Sequence, residues 1–135
     1  MPVLFNRVEK GNPRNSAAPK KWHPVIKTLS RIMEKGVAKE ISDETTLNHK
    51  EAEMALSQLE KVLIRNLLSS NSVQIGDWGT FYLTCNSVGA DTKEEVTAKQ
   101  IKSLNVRFLP GKSLKKAIAD ATFMPAENVL SKRQS

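Results

Sequence analysis

Three lysines near the C-terminal end of the sequence, Lys112, Lys115 and Lys116, lie at the start of a segment whose apolar residues have helical spacing. The first turn of a helix leaves backbone N–H groups unpaired. These groups favour a bound phosphate, although the helix dipole at that end disfavours a cation. We therefore predict that the three ammonium groups contact phosphate. A merely solvated helix face is the alternative, and we rank it lower.

A second group of bases precedes this segment and consists of Lys99, Lys102 and Arg107. These residues lie on or beside a predicted strand, and the alternation of a strand does not by itself place all three on one face. Phosphate contact is favoured for Arg107. For the two lysines, contact and simple solvation are equally favoured.

The charge of the chain is concentrated at its two ends. Lys and Arg number 21 against 14 acids, which gives a formal net charge of +7 and a pI of about 9.7. Residues 1–40 contain nine bases and three acids, and residues 111–135 contain five bases and two acids. Arg7, Lys20 and Lys21 belong to the N-terminal group, which could follow phosphates as a flexible segment or form a loop that its charges keep soluble. This balance favours a polyanionic partner such as nucleic acid or an anionic membrane surface.

Other residue types that carry chemistry are sparse. His23 and His49 are far apart in the sequence and have no Cys or acidic residues at metal-ligand spacing, so a zinc site is not predicted. Cys85 is the single cysteine; it cannot form an intramolecular disulfide, and we predict a half-buried strand thiol. No nucleophile elbow, phosphate-binding glycine loop or paired-acid motif is present. We predict a protein without catalytic activity, metal, cofactor or small-molecule substrate.

The N-terminal half of the sequence predicts two short strands and two helices. Strand signals cover residues 2–9 and 22–27, and the Gly, Asn, Pro and Ser residues between them predict a loop. Apolar residues at three- and four-residue spacing predict a helix over 29–41, with Thr28 or Ser30 as its cap. A longer stripe predicts a second helix over 47–67, capped by Thr46 or Asn48 and ended by residues 69–71.

The C-terminal half predicts a hairpin, a polar excursion, a return strand and a last helix. Gly76-Asp77-Trp78-Gly79 supplies a tight turn between β-forming residues, and residues 104–108 alternate as a return strand does. A helix is predicted over 112–123, and residues 125–135 are expected to form a loose tail. The order of elements predicts an α+β fold. Trp22, Trp78 and Phe81 are predicted to pack in a core or dimer interface and not to stack on bases.

Two motifs in this order resemble the HU and integration host factor family of bacterial histone-like proteins. Gly76-Asp77-Trp78-Gly79-Thr80-Phe81 is similar to the family's Gly-Phe-Gly-Thr-Phe turn, and Phe108-Leu109-Pro110-Gly111-Lys112-Ser113-Leu114-Lys115 to its Phe-x-x-Gly-Lys-x-Leu-Lys junction. The intervening residues 82–107 match the length of the family's DNA-embracing arm. The resemblance covers residues 28–122, and the extra N-terminal strands resemble a longer HU-like branch found in gut-type bacteria.

The resemblance implies an intertwined homodimer with a helical base and β-arms that reach double-stranded DNA. It also implies binding that bends or compacts DNA with little sequence preference, and it carries DNA contact to Lys112 and Lys115. The family's arms are rich in Arg and end in Arg-Asn-Pro, whereas this arm contains acids as well as bases and has no proline before Pro110. The alternative is therefore an HU-like protein-interaction or scaffold module with weakened DNA binding.

We expect three parts in the chain: a basic N-terminal extension over residues 1–27, an HU-like domain over 28–123 and a C-terminal tail over 124–135. The sequence shows no secretory leader and no apolar run of the about 20 residues that a membrane span requires. We therefore expect a cytoplasmic protein at the nucleoid, without a membrane partner.

Overall fold

The computed structural model describes the backbone of residues 1–133 and the side chains of residues 1–129. Contacts divide the chain into two compact units. The terminal unit combines residues 1–31 with residues 118 onward, and the central unit comprises residues 32–117. Small sheets and four helices give the α+β composition that the sequence predicts. None of the described helices is both long and apolar enough to cross a membrane.

The terminal unit is built on a three-stranded sheet. Its strands are β1 (Val3–Lys10), β2 (Lys21–Ile26) and β6 (Phe123–Pro125), in the order β2-β1-β6. The β1 strand pairs antiparallel with β2 and parallel with β6. Helix α4 (Ala126–Arg133) follows β6 and packs on β1. The two strands and the loop predicted at the N-terminus are confirmed.

The central unit contains a helical pair and a second three-stranded sheet. Helices α1 (Glu34–Glu44) and α2 (His49–Leu68) pack together through Ala38 and Ala52, whose small side chains are fully buried. Strands β3 (Val73–Ile75), β4 (Gly79–Ser87) and β5 (Ile101–Pro110) form an antiparallel sheet in that order, as the sequence predicts. Helix α3 (Lys112–Ala119) follows β5 directly.

The predicted start of the first helix and its predicted cap are wrong. Helix α1 begins at Glu34, with Met33 as an N-cap that makes no side-chain hydrogen bond, and neither Thr28 nor Ser30 caps it. Residues 27–33 are irregular, and Leu29 and Ile32 are exposed. Their helical spacing therefore has no core to face, because the chain passes between the two compact units at this point.

On α1 itself, a hydrogen bond to the Asp43 carboxylate raises the pKa of Lys39.

The second helix follows its predicted signals closely. Of the two proposed caps, Asn48 is used: its side-chain oxygen accepts from the backbone N–H of Glu51 at 2.8 Å. The helix ends where residues 69–71 were predicted to end it. Ser70 has a left-handed φ of 67°, and the N–H of Asn71 reaches back to the carbonyl of Asn66 at 3.0 Å.

The C-terminal expectations need two corrections. The last predicted helix ends at Ala119, not at residue 123, and residues 123–125 form β6. The prediction of a loose tail is also wrong as far as residue 133, because α4 occupies residues 126–133 and Ala126 is buried. Residues 134–135 lie outside the part of the chain that the structure describes. The partner of β6 is β1, about the whole chain length away, so local sequence carries no signal for this parallel pairing.

Candidate nucleic-acid interface

The turn between β3 and β4 docks against the junction between β5 and α3. The N–H of Gly111 donates to the carbonyl of Trp78 at 2.9 Å, and the N–H of Ser113 donates to the carbonyl of Asp77 at 3.1 Å. A Cβ atom at Gly111 would lie only 2.1 Å from the Asp77 carbonyl oxygen, so the close approach requires glycine. The two sequence motifs are therefore two halves of one structural contact, and this contact fixes where α3 begins.

Aromatic rings reinforce the same contact. The ring centroids of Phe81 and Phe108 are 5.0 Å apart, and those of Trp78 and Phe108 are 5.6 Å apart. Gly79 lies beneath the Phe108 ring, where a Cβ atom would be 2.1 Å from a ring carbon. Phe81 is half-buried in this cluster and Trp78 is 43% exposed, so their predicted packing in a core or dimer interface stays a prediction.

Helix α3 presents its lysines to solvent. Lys112, Lys115 and Lys116 are all exposed, and their spacing of three and four residues places them on one helical face. Leu114 is half-buried on a different side of the helix. The Ser113 N–H is occupied by Asp77, so one of the free N–H groups expected at this helix start is used within the protein.

The β4–β5 hairpin has one apolar face and one polar face. Directly paired residues share a face, and the pairs Phe81–Phe108, Leu83–Val106 and Cys85–Leu104 form the apolar side. The opposite face carries the following pairs: Thr80 with Leu109, Tyr82 with Arg107, Thr84 with Asn105, and Asn86 with Ser103. Hydroxyl, amide and guanidinium groups dominate this polar face, and all of them can donate hydrogen bonds to phosphate oxygens.

The three arm bases are not brought together on one face. Arg107 lies on the polar face, opposite Tyr82, and is exposed. Lys102 lies at an irregularity in the register, because Asn86 pairs with Ser103 while Ser87 pairs with Ile101. Lys99 lies beyond the strand, in a short 3₁₀ turn over Ala98–Gln100. Of this group, the structure places only Arg107 on the polar face.

The tip of the arm is a compact polar cap and not an extended ribbon. After Ser87 the chain makes two 3₁₀ turns, Lys93–Glu95 and Ala98–Gln100, before β5 begins. The N–H of Val88 donates to the carbonyl of Gln100 at 3.0 Å, and a capping box links Thr97 to Gln100. The acids of residues 91–95 lie at this tip, which keeps its net charge low.

The N-terminal bases Arg7, Lys20 and Lys21 lie in the terminal unit. Arg7 is on β1 and forms an ion pair with Glu127 of α4 at 2.8 Å, with both side chains largely exposed. Lys21 begins β2 and lies directly opposite Lys10, the last residue of β1. Lys20 is exposed in the preceding loop. Arg7 is thus partly neutralised within the protein, whereas the two lysines lie beside other bases.

Sequence reasoning missed Tyr82, Thr84 and Asn105, which share the polar face with Arg107. A signal for them exists, because residues 79–87 alternate strictly between small or apolar and polar side chains. Applied to both strands, the alternation marks one continuous polar face.

One protein family matches almost the whole sequence. The HU-HIG family, described as an HU domain fused to a wHTH, Ig or glycine-rich motif, matches residues 1–125. This chain belongs to the HU-HIG family. The resemblance to HU proteins that the two motifs indicate is thereby confirmed. The match begins at residue 1, so the N-terminal strands are part of the HU-HIG pattern.

A solved structure shares the fold of this HU-HIG chain. It is the crystal structure of a candidate bacterial DNA-binding protein from Bacteroides vulgatus ATCC 8482, with a TM-score of 0.64 and 14% sequence identity. The alignment covers 92% of this chain and 48% of that protein, so this chain spans about half the length of its structural relative. No curated protein matches the sequence significantly.

His49, Cys85 and Trp22 form no further site in the part of the chain that the structure describes. Among the described residues, no group of three or more His, Cys, Asp and Glu side chains could hold a metal ion. His49 lies 4.0 Å from the Glu53 carboxylate on the same helix. Cys85 is exposed and not half-buried, because none of the residues that the structure describes covers that end of the apolar face. Trp22 is likewise exposed and does not pack in a core of this chain, whereas its packing in a dimer interface stays a prediction.

Proposed function

We propose that this HU-HIG chain is a non-enzymatic protein that binds double-stranded DNA as a homodimer, chiefly through phosphates and with little sequence preference. The carrying observation is the exposed lysine face of α3, held in place by the docking of the two family motifs. Arg107 and the polar hairpin face would add contacts along the arm. Bound DNA would be bent or compacted, because a protein surface that wraps DNA gains further phosphate contacts.

The apolar hairpin face supports the homodimer. Leu104 and Val106 are 57% and 59% exposed, although their alternation is typical of a buried sheet face. Within the central unit, the buried hydrophobic residues are confined to Ala38, Ala52 and Leu67. Burial of one large aliphatic side chain contributes about 1.5–3 kcal/mol, so a second copy that covers this face would supply the missing core.

The proposal extends to further residues, to a location and to the absence of a ligand. We propose Lys99, Lys102, Arg7, Lys20 and Lys21 as further DNA contacts, with a location at the nucleoid and no cofactor or small-molecule substrate. The assignment of residues 28–123 to the DNA-binding domain, flanked by an extension and a tail, also stays a prediction. The compact units group residues by contact and not by activity.

The test of DNA binding is a fluorescence-anisotropy titration of a random duplex of about 30 base pairs across a salt series. Each neutralised phosphate releases about 0.9 counterion, so about six contacts predict a slope near −5 for log affinity against log salt. A flat salt response would contradict phosphate-driven binding.

The lysine face is tested by the double variant Lys112→Glu/Lys115→Glu. We expect a loss of duplex affinity of at least about a hundred-fold, with the dimer intact, because two attractive charges become repulsive. Lys50→Glu/Lys61→Glu on α2 makes the same change in net charge at exposed positions and serves as the matched control. Equal behaviour of the two variants would favour the alternative, a scaffold module, to which the low net charge of the arm tip also points.

A further inference from the structure

A depression lies at the end of the β1–β2 hairpin, where the strands meet the loop that joins them. Its volume is about 560 Å³, and Lys10, Lys21 and His23 line it together with loop residues that include Asn12. The loop is held by its own hydrogen bonds, such as the bond from the N–H of Asn15 to the carbonyl of Asn12 at 3.2 Å. The depression is therefore shaped by the protein alone, and three of its side chains carry N–H donors.

The register of the β1–β2 pair places these three side chains on one side of the sheet. Lys10 pairs directly with Lys21, and Val8 pairs directly with His23. Directly paired residues share a face, and so do residues two positions apart on one strand. Glu9, the one acid of residues 1–31, lies on the opposite side of β1. The depression is thus on the basic side of the hairpin.

The positive charge of this side is not compensated within the part of the chain that the structure describes. Like charges at directly paired positions destabilise a sheet, as Lys10 and Lys21 do here. No described acid lines the depression, and no described residue forms an ion pair or a side-chain hydrogen bond with Lys10, Lys21 or His23. A third lysine lies at the rim, because a Cβ atom at Gly11 would be 3.9 Å from Cγ of Lys20. An anion in the depression would relieve this repulsion.

We propose that this depression binds a phosphate group, with the ammonium groups of Lys10 and Lys21 and the imidazole of His23 as its hydrogen-bond donors. Hydrogen bonds from charged donors to phosphate are stronger than those between neutral groups. The oxygens of a phosphate point in different directions, so one group can accept from several donors around it. The phosphate belongs either to the DNA backbone or to a free ion. The first source rests on the proposed function, whereas the site itself does not.

The first test is a titration of the full chain with inorganic phosphate, followed by NMR at constant pH and ionic strength. The imidazole C–H signals of the two histidines report on two different places in the chain. We expect the His23 signals to shift and to saturate, whereas the signals of His49 on α2 should stay in place, because His49 does not line the depression. Acetate at the same ionic strength should leave both sets of signals unchanged.

Charge variants test whether the lysines bind the ion. Lys10→Gln/Lys21→Gln should weaken phosphate binding at least about ten-fold, because two charge-assisted hydrogen bonds are lost. Lys10→Arg/Lys21→Arg should retain it, since guanidinium groups also bind phosphate. Lys50→Gln/Lys61→Gln on α2 makes the same change in net charge at exposed positions and should leave the His23 response unaffected.

The source of the phosphate is identified with the random duplex of about 30 base pairs in a salt series. A backbone phosphate in the depression predicts that Lys10→Gln/Lys21→Gln weakens duplex binding and reduces the magnitude of the salt slope by about one. A free ion predicts unchanged duplex affinity and slope, with the His23 response lost in the variant. Absence of duplex binding by the unmodified protein, with its His23 response retained, would reject the proposed function and leave the phosphate site in place.

Three results would overturn the phosphate site. The first is no shift of the His23 signals with inorganic phosphate, and the second is an equal shift with acetate, which would assign the depression to carboxylates. Both are measured on the unmodified protein and do not depend on the folding of a variant. The third is an unchanged His23 response in Lys10→Gln/Lys21→Gln whose circular dichroism matches that of the unmodified protein.

Discussion

At the scale of single residues, glycines determine whether the two family motifs can meet. Gly111 admits the Asp77 carbonyl, and Gly79 admits the Phe108 ring. Gly76 adopts a left-handed φ of 55° in the same turn. The sequence shows these glycines as turn signals, but it does not show that the turn at Gly79 touches the turn at Gly111, which lies 32 residues later. That contact depends on the β4–β5 register, which only the folded sheet provides.

Gly111→Ala should destabilise the protein by about 1–3 kcal/mol, because the new methyl group overlaps a backbone carbonyl that has little room to move. Gly89→Ala is the matched control, since its Cβ would have no heavy atom within 4 Å. We expect Gly89→Ala to change stability by less than about 0.5 kcal/mol. Urea unfolding followed by circular dichroism measures both; equal stability of the two variants would refute the role of the docked junction.

At the scale of elements, alternation predicted the strands well and helical spacing misled at one place. Residues 79–87 and 101–110 form strands because their apolar side chains share one face. Leu29 and Ile32 have equally regular helical spacing, yet they lie in an irregular exposed segment. Periodicity reports which face would be buried, and it does not report whether a partner surface exists. For the same reason, periodicity did not predict β6, because its three residues form a strand only by pairing with β1.

The hairpin's polar face is tested by comparing a charged residue with a neutral one. Arg107→Ala should weaken duplex binding and reduce the magnitude of the salt slope by about one, because one phosphate contact is lost. Thr84→Val should weaken binding with an unchanged slope, because a hydroxyl releases no counterion. Lys61→Ala removes an exposed charge on α2, outside the hairpin, and should leave the slope unchanged. Anisotropy titrations at several salt concentrations measure the slope for each variant. Identical slopes for Arg107→Ala and the unmodified protein would exclude Arg107 as a phosphate contact.

At the scale of the whole molecule, the candidate DNA surface was only partly readable from the sequence. The α3 lysines and Arg107 were predicted, and the structure places each of them at the surface of the central unit. Lys99 and Lys102 were grouped with them by proximity in sequence, but the turn and the register irregularity separate them. Trp22 is exposed within the chain, although an indole beside strand residues is more typical of a core.

Val106→Asp should prevent dimer formation, because it places a carboxylate in the middle of the apolar hairpin face. Asn105→Asp introduces the same group on the polar face and should remain dimeric. Sedimentation velocity distinguishes the two. For the unmodified protein, the midpoint of thermal unfolding should rise with protein concentration, since association stabilises the folded state. A midpoint independent of concentration, together with a monomeric mass, would rule out the homodimer.

The docked junction between the turn at residues 76–79 and the start of α3 has a consequence for the evolution of the arm. Both ends of the arm are anchored at this junction, and the tip folds on its own local hydrogen bonds. Loop length adds little to the cost of closing such a hairpin, about 0.6 kcal/mol for each doubling. The arm is therefore an exchangeable cassette: hairpins of other lengths and charges can be grafted between Tyr82 and Arg107 while the scaffold beneath them is retained.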